Sequence, residues 1–207
     1  MPEGEVMAQQ VQVTLFTFDE LPEESQKKLI EGFRQDFEPD YSNVYDEFII
    51  DMSEQYGADI KEDDIQWSGF WSQGDGACFT CEFDQEVIEP ILRDALNEDD
   101  RNHLDQLRVE LSQASSIRTG RSNFYCHENT VTGDIWLDCP DDTDLKVEVV
   151  RAMEANLTDI IRNSCKDLYR RLEDHYNKET EDEAIKQRIK EYWPGCNFRE
   201  DGTIFAR

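Results

Sequence analysis

The stretch Trp67-Ser68-Gly69-Phe70-Trp71-Ser72-Gln73-Gly74-Asp75-Gly76-Ala77-Cys78-Phe79 holds residues typed and spaced for chemistry. A loop of Gln73, Gly74, Asp75 and Gly76 between aromatic segments can cradle a phosphate with backbone N–H groups, or hold a cation on Asp75. The same glycines suit a tight hairpin turn, with Trp67 and Trp71 as core. No Gly-Lys-Ser/Thr follows, so this is not a nucleotide P-loop. A strand rather than a helix comes next, so it is not a dinucleotide fingerprint. The loop therefore stands as the centre of one candidate, a small-ligand or metal-dependent module.

Cysteine and histidine give a second pattern. Cys78 and Cys81 have CxxC spacing, and Cys126, His127 and Cys139 lie downstream. Four such ligands suit zinc, but a strand over 77–83 points residues three apart to opposite faces, where a zinc knuckle places its pair on a turn. A redox dithiol needs a helix N-terminus after its first Cys, and none is evident. The three His, at 103, 127 and 175, accompany no Gly-x-Ser-x-Gly elbow and no His-Glu-x-x-His. His103 and His175 fall on polar helical stretches and read as solvated. No nucleophile or base can be named, so a non-enzymatic protein is expected, with no catalytic residue, cofactor or metal assigned.

The third pattern is charge. Forty-eight Asp/Glu against 21 Lys/Arg give a formal net charge of −27, of which −22 falls in residues 1–100 and −5 in residues 101–207. Such a surface repels nucleic acid and anionic membrane and attracts basic proteins. Duplex DNA carries one charge per ~1.7 Å of axis, so the charge of the first hundred residues corresponds to about 37 Å of duplex. A compact chain of this length has a radius of gyration of roughly 17 Å, so a face of that size just fits. The candidate contact residues are Asp46, Glu47, Asp51, Glu54, Glu62, Asp63 and Asp64. A solvated surface that serves solubility is the plainer reading of the same acids.

The elements that must position these groups follow from periodicity. Val11–Phe18 reads as a strand. Asp19 or Glu20, Pro22 and the following acids open a helix that runs to about Gln35 and buries Leu29, Ile30 and Phe33. A second helix spans about Ser42–Gln55, with Val44, Tyr45, Phe48, Ile49 and Met52 at helical spacing and Gly57 as C-cap. Ile65–Trp71 and Ala77–Phe83 form a hairpin. Residues 84–114 read as helical, broken near Asn97–Asp100. Asn123–His127 and Asp134–Asp138 suggest strands around a Val131-Thr132-Gly133 turn. Pro140–Asp144 caps a long helix over about 145–176, a short helix covers 181–192, and a hairpin around Glu200-Asp201-Gly202 ends the chain. Irregular alternation with hairpin-type strand pairs predicts an α+β fold with a mainly antiparallel sheet. One domain over 11–207 is expected behind a flexible tail at 1–10. No run of eighteen apolar residues and no signal peptide occur, so no membrane partner is expected, a cytosolic protein is, and the six Cys read as free thiols.

Two segments together resemble a known group. Thr14 to Lys27 carries a TFDEL-x-EE-x-Q opening, and Ile65 to Phe79 a W-S-G-F-x-S-Q-G-D-G-A-x-F block. The combination is similar to an uncharacterised family of acidic proteins encoded by bacteriophages and mobile elements, and it covers the first 85 residues or so. Cys78 and Cys81 stand where that pattern has a small residue such as Ser or Gly, which argues against a metal role shared with the family. The resemblance implies a setting, not an activity: small acidic phage proteins bind host machinery, defence systems included. The leading expectation is therefore a phage-type acidic protein that binds a basic, nucleic-acid-handling host protein in the host cytoplasm as a nucleic-acid mimic, without binding nucleic acid itself. The ligand module around Gln73 and Asp75 is the alternative, and a homodimer through the 145–176 helix a third reading.

Overall fold

The computed structural model describes residues 12–107, 114–121, 125–137, 147–195 and 197–205. The tail expected at 1–10, the Pro140–Asp144 cap, Asn123–Phe124 and Cys139 lie outside them. The chain forms two compact units, one of residues 40–175 and one that combines the stretches up to Pro39 and from Tyr176 onward. The described residues form an α+β fold in which every strand pair is antiparallel.

The 40–175 unit begins with helix α2 (Ser42–Tyr56), helix α1 (Glu23–Asp36) belonging to the other unit. Asp40 opens α2 by accepting the Ser42 hydroxyl at 2.6 Å and its N–H at 3.0 Å, and these bonds hold the Asp40 carboxyl below the usual carboxylate range. Gly57 ends it in the left-handed conformation at φ +65°, donating its N–H to Ser53 at 2.9 Å. Strand β1 (Ala58–Asp59) follows, then a hairpin of β2 (Ile65–Ser68) and β3 (Gly76–Phe79). Strand β4 (Glu82–Phe83), helices α3 (Gln85–Asp94) and α4 (Glu98–Leu107), and strands β5 (Ala114–Arg121) and β6 (Val131–Leu137) precede helix α5 (Val147–Glu179). The hairpin is its own two-stranded sheet, and the other strands form a four-stranded sheet in the order β1-β4-β5-β6.

Helix α5 supplies the spine of this unit. Val149, Met153, Leu157, Ile161, Cys165, Leu168 and Leu172 recur every three or four residues and are all buried. They share one core with Phe48 and Met52 of α2, Phe79 of β3, Ile88 and Leu92 of α3, Ile117 of β5 and Val131 of β6. Arg171 ties α5 to α2 by an ion pair at 2.7 Å to Asp51, and is held on its own helix by Asp167, also at 2.7 Å.

The other unit has a separate core of Phe18, Leu21, Ile30, Ile185, Ile189 and Phe198. It holds a 3-10 turn at Phe18–Glu20, helix α1 (Glu23–Asp36), the last turn of α5 from Tyr176, and helix α6 (Asp182–Tyr192). Glu20 closes the 3-10 turn by accepting the Thr17 N–H and hydroxyl, both at 2.9 Å. Arg34 of α1 donates to the Thr180 carbonyl at 3.0 Å and pairs with Asp182.

Several sequence expectations need correction. Val11–Phe18 is not a strand among the described residues: only Phe16 bridges, to Phe198, and Phe18 already belongs to a 3-10 turn. The first hairpin strand stops at Ser68, because Gly69 at φ +36° turns the chain. The return strand divides: Thr80 interrupts it, and Glu82–Phe83 pair with β1 and β5 in the larger sheet. Val131-Thr132-Gly133 is not a turn but the start of β6, paired with Thr119–Arg121. Trp71 is not core, being 76% exposed. His175 is only partly exposed, with Nε2 at 2.9 Å from the Asp40 carbonyl and its ring beside Tyr41.

Candidate functional site

Helix α2 buries Val44, Phe48 and Met52 and turns the opposite side to solvent. That side presents Asp46, Glu47, Asp51 and Glu54, all exposed, and at its middle Ile50, 54% exposed. Ile50 follows Asp46 by four residues and Glu47 by three, and precedes Glu54 by four, so the three carboxylates surround it on the helix surface. A solvated helix face has no need of an isoleucine there.

The seven acids singled out by sequence do not behave alike. Asp51 is neutralised by Arg171 at 2.7 Å. Asp64 is spent on its own turn, accepting the Lys61 N–H at 3.1 Å and lying 3.4 Å from the Thr80 hydroxyl. Asp46, Glu47, Glu54, Glu62 and Asp63 have no basic partner among the described residues, and the 3-10 turn that carries Glu62 and Asp63 lies beside α2. Several bases are meanwhile engaged within the chain. Arg34, Arg93, Arg170, Arg171, Arg188 and Lys190 each pair with an acid of their own chain.

The Gln73–Gly76 loop is built differently. Asp75 Oδ2 accepts the N–H groups of Trp71 at 2.9 Å and Ser72 at 2.6 Å, and the Asp75 N–H returns to the Ser72 carbonyl at 3.1 Å. The carboxylate is thus committed to its own turn. Gln73 and Gly74 are exposed, whereas Gly76 is buried under Cys126 and His127, where an added Cβ would lie 2.9 Å from the Cys126 carbonyl oxygen. Beneath the loop runs an aromatic row that the sequence did not foretell. Trp67 donates its indole N–H to Tyr45 at 2.8 Å, Tyr41 meets Trp67 edge-on, Phe70 stacks on Trp67 at 5.1 Å, and Tyr169 donates its hydroxyl to the Gly69 carbonyl at 3.2 Å. Tyr169 lies a hundred residues from the loop, so only the fold joins them.

Among the described residues no group of three or more His, Cys, Asp or Glu is placed to hold a metal ion. Cys78, Cys81 and Cys165 are buried, and burial pushes the Cys78 thiol up to about 11 and Cys165 to about 12, with Cys81 raised further. Cys126 is partly exposed, 3.9 Å from an Arg121 guanidinium nitrogen that donates toward its sulfur. In the native protein at pH 7, a maleimide is expected to label Cys126 at least about 100-fold faster than Cys78, Cys81 or Cys165, since thiols react according to exposure and thiolate fraction. Peptide mapping by mass spectrometry reads this directly, and equal labelling of Cys81 would contradict the burial.

A family model described as a domain of unknown function, DUF8835, matches residues 37–182. The chain belongs to this family. No curated protein and no solved structure matches it. The DUF8835 segment coincides closely with the 40–175 unit, so the acidic face of α2, the Gln73–Gly76 loop and the aromatic row all lie within it. Most of the other unit, with α1 and nearly all of α6, lies outside the DUF8835 match. No described helix is long and apolar enough to cross a membrane.

Of these features the sequence missed Ile50, although a signal was present. The buried stripe of α2 runs through Val44, Phe48 and Met52 and leaves Ile50 off it.

Proposed function

We propose that this chain is a non-enzymatic acidic binding protein whose α2 face engages a basic protein surface. The reading rests on one observation: Asp46, Glu47 and Glu54 lack basic partners among the described residues and surround an exposed Ile50. An apolar anchor inside a like-charged rim is the pattern of an interface, where the rim steers and the desolvated centre holds. Glu62 and Asp63 extend the charged rim. In the phage-type setting that the resemblance implies, the partner is a nucleic-acid-handling protein of the host, and the carboxylates stand in for phosphates. The charge density qualifies the mimicry. A 15-residue helix spans about 22 Å, a length over which duplex DNA shows about 13 charges, far more than α2 carries. The face therefore matches a basic patch rather than a long stretch of duplex.

The commitment of the Asp75 carboxylate to its own turn favours the binding face on α2 over a ligand module on the Gln73–Gly76 loop. The test is capture from host lysate at low salt, followed by affinity measurement on the partner recovered. Affinity is expected to fall at least about ten-fold between 50 and 200 mM salt. The triple variant Asp46→Asn, Glu47→Gln, Glu54→Gln should flatten that dependence. Ile50→Ala should weaken binding without changing the slope. An affinity that is flat with salt in the parent protein ends this reading.

A further inference from the structure

We propose that the unit formed by the chain ends carries a second docking site, a groove for a partner segment that presents an apolar or aromatic side chain between Lys or Arg residues. The groove has a volume of about 690 Å³ and is walled by Leu29, Phe33, Phe37, Tyr192, Trp193 and Ile204. That size lies within the range of clefts that bury ligands. Its aromatic wall is continuous: the Phe33 ring sits 6.2 Å from Phe37, 6.0 Å from Tyr192 and 5.8 Å from Trp193. Yet it is left open, with Tyr192 69% and Ile204 38% exposed.

Gly32 points to an occupant. It lies inside α1 and lines the groove, and a Cβ built there meets nothing within 4 Å. Neither a close backbone approach nor a positive φ requires glycine at this position. A glycine inside a helix lowers its stability relative to alanine. Here the lack of a side chain leaves the α1 side of the groove open.

The rim decides what the occupant is. Asp36, Glu38 and Asp201 line it against the single base Lys28. Asp36 and Glu38 are exposed, with no basic partner among the described residues. An apolar floor inside an acidic rim selects a hydrophobic side chain flanked by cations. A second copy of this chain, at −27, is repelled. Most of the groove's lining, including Leu29, Phe33, Tyr192, Trp193 and Ile204, falls outside the 37–182 family match. It is separate from the α2 face, and its test is independent of that reading.

The experiment uses the full chain and the fluorescein-labelled peptide Lys-Arg-Phe-Leu-Arg-Lys, followed by fluorescence polarisation. One control peptide carries Glu in place of the four bases, and the other Ala-Ala in place of Phe-Leu. The parent protein is expected to bind the first peptide at least ten-fold more tightly than either control. Gly32→Met, which fills the groove, should weaken binding at least ten-fold while circular dichroism and Tm hold or improve. The exposed pair Asp36→Asn, Glu38→Gln provides a second variant that should weaken binding and its salt dependence. The α2 triple variant should leave peptide binding unchanged. Equal binding of the Glu peptide, or binding that survives Gly32→Met, overturns the proposal. So does loss of binding in the α2 variant alone, or a concentration-dependent dimer that Gly32→Met abolishes.

Discussion

Gly133→Ala is expected to cost about 3 kcal/mol of folding stability, at the upper end for an added methyl group in a packed core. Gly133 is buried in β6 where α5 crosses it, and its N–H donates to the Thr158 hydroxyl at 2.8 Å. A Cβ at this position would overlap Leu157 Cγ and lie 2.7 Å from Cδ2. Leu157 is fully buried in the core and cannot swing aside, so β6 and α5 must separate or Leu157 must leave its rotamer. Urea unfolding at pH 7.5 measures the loss. A double-mutant cycle identifies its cause. Leu157→Ala alone should cost about 2–5 kcal/mol, but in the Gly133→Ala background its cost should fall by at least about 1 kcal/mol, because the clash is relieved. Strict additivity would show that Leu157 is not what the methyl group meets.

Raising the pH from 9.5 to 10.5 is expected to remove about 3 kcal/mol through two thiols, Cys81 and Cys165, at about 1.4 kcal/mol each per pH unit. Both are buried in the 40–175 unit, and burial is the main cost of ionising each thiol, with Cys165 adding to that cost at Cys81. Burial holds Cys165 near 12 and Cys81 above it, whereas an unfolded thiol ionises near about 8.5. Between those values the folded state keeps protons that the unfolded chain has released. Stability is therefore complete below about pH 8.5 and declines as pH rises toward the folded values. Cys78, raised to about 11, acts in the same direction. Urea midpoints at pH 7.5, 9.5 and 10.5 under a phosphine reductant give the slope. The variant Cys81→Ala, Cys165→Ala should be less stable at neutral pH yet lose markedly less per pH unit. An unchanged slope would mean that these thiols are not the groups that titrate.

Local order carries most of what the sequence made legible. Helix α2 was readable because its apolar stripe and Gly57 agree, and α6 and the spine of α5 because their spacing is unbroken. The β2–β3 hairpin was readable from its glycines. The misreadings occur where a residue answers to something distant. Gly133 reads as a turn, but it is glycine because Leu157 presses against it. Phe16 reads as part of a strand, but its pairing partner is Phe198, far along the chain. Trp71 reads as core in an apolar run, yet the turn at Gly69 and the Asp75 bonds carry it outward. The acidic α2 face was visible as charge. That Asp51 and Asp64 are already engaged was not, since Arg171 and Thr80 reach them only in the folded chain. The groove was invisible because its walls come from residues 28–38 and 192–204. Its one local trace was Gly32 inside a helical run.

The two cores share no residue, and this has a consequence for synthesis. Phe18, Leu21 and Ile30 leave the ribosome well before the side chains that cover them, Ile185, Ile189 and Phe198. The 40–175 segment holds its own core and can condense while the remainder is still being translated. Over that interval the apolar stripe of α1 lacks the α6 side chains that cover it in the folded chain. Glu23, Glu24, Glu31 and Asp36 on that helix supply like charge that opposes self-association until α6 is made.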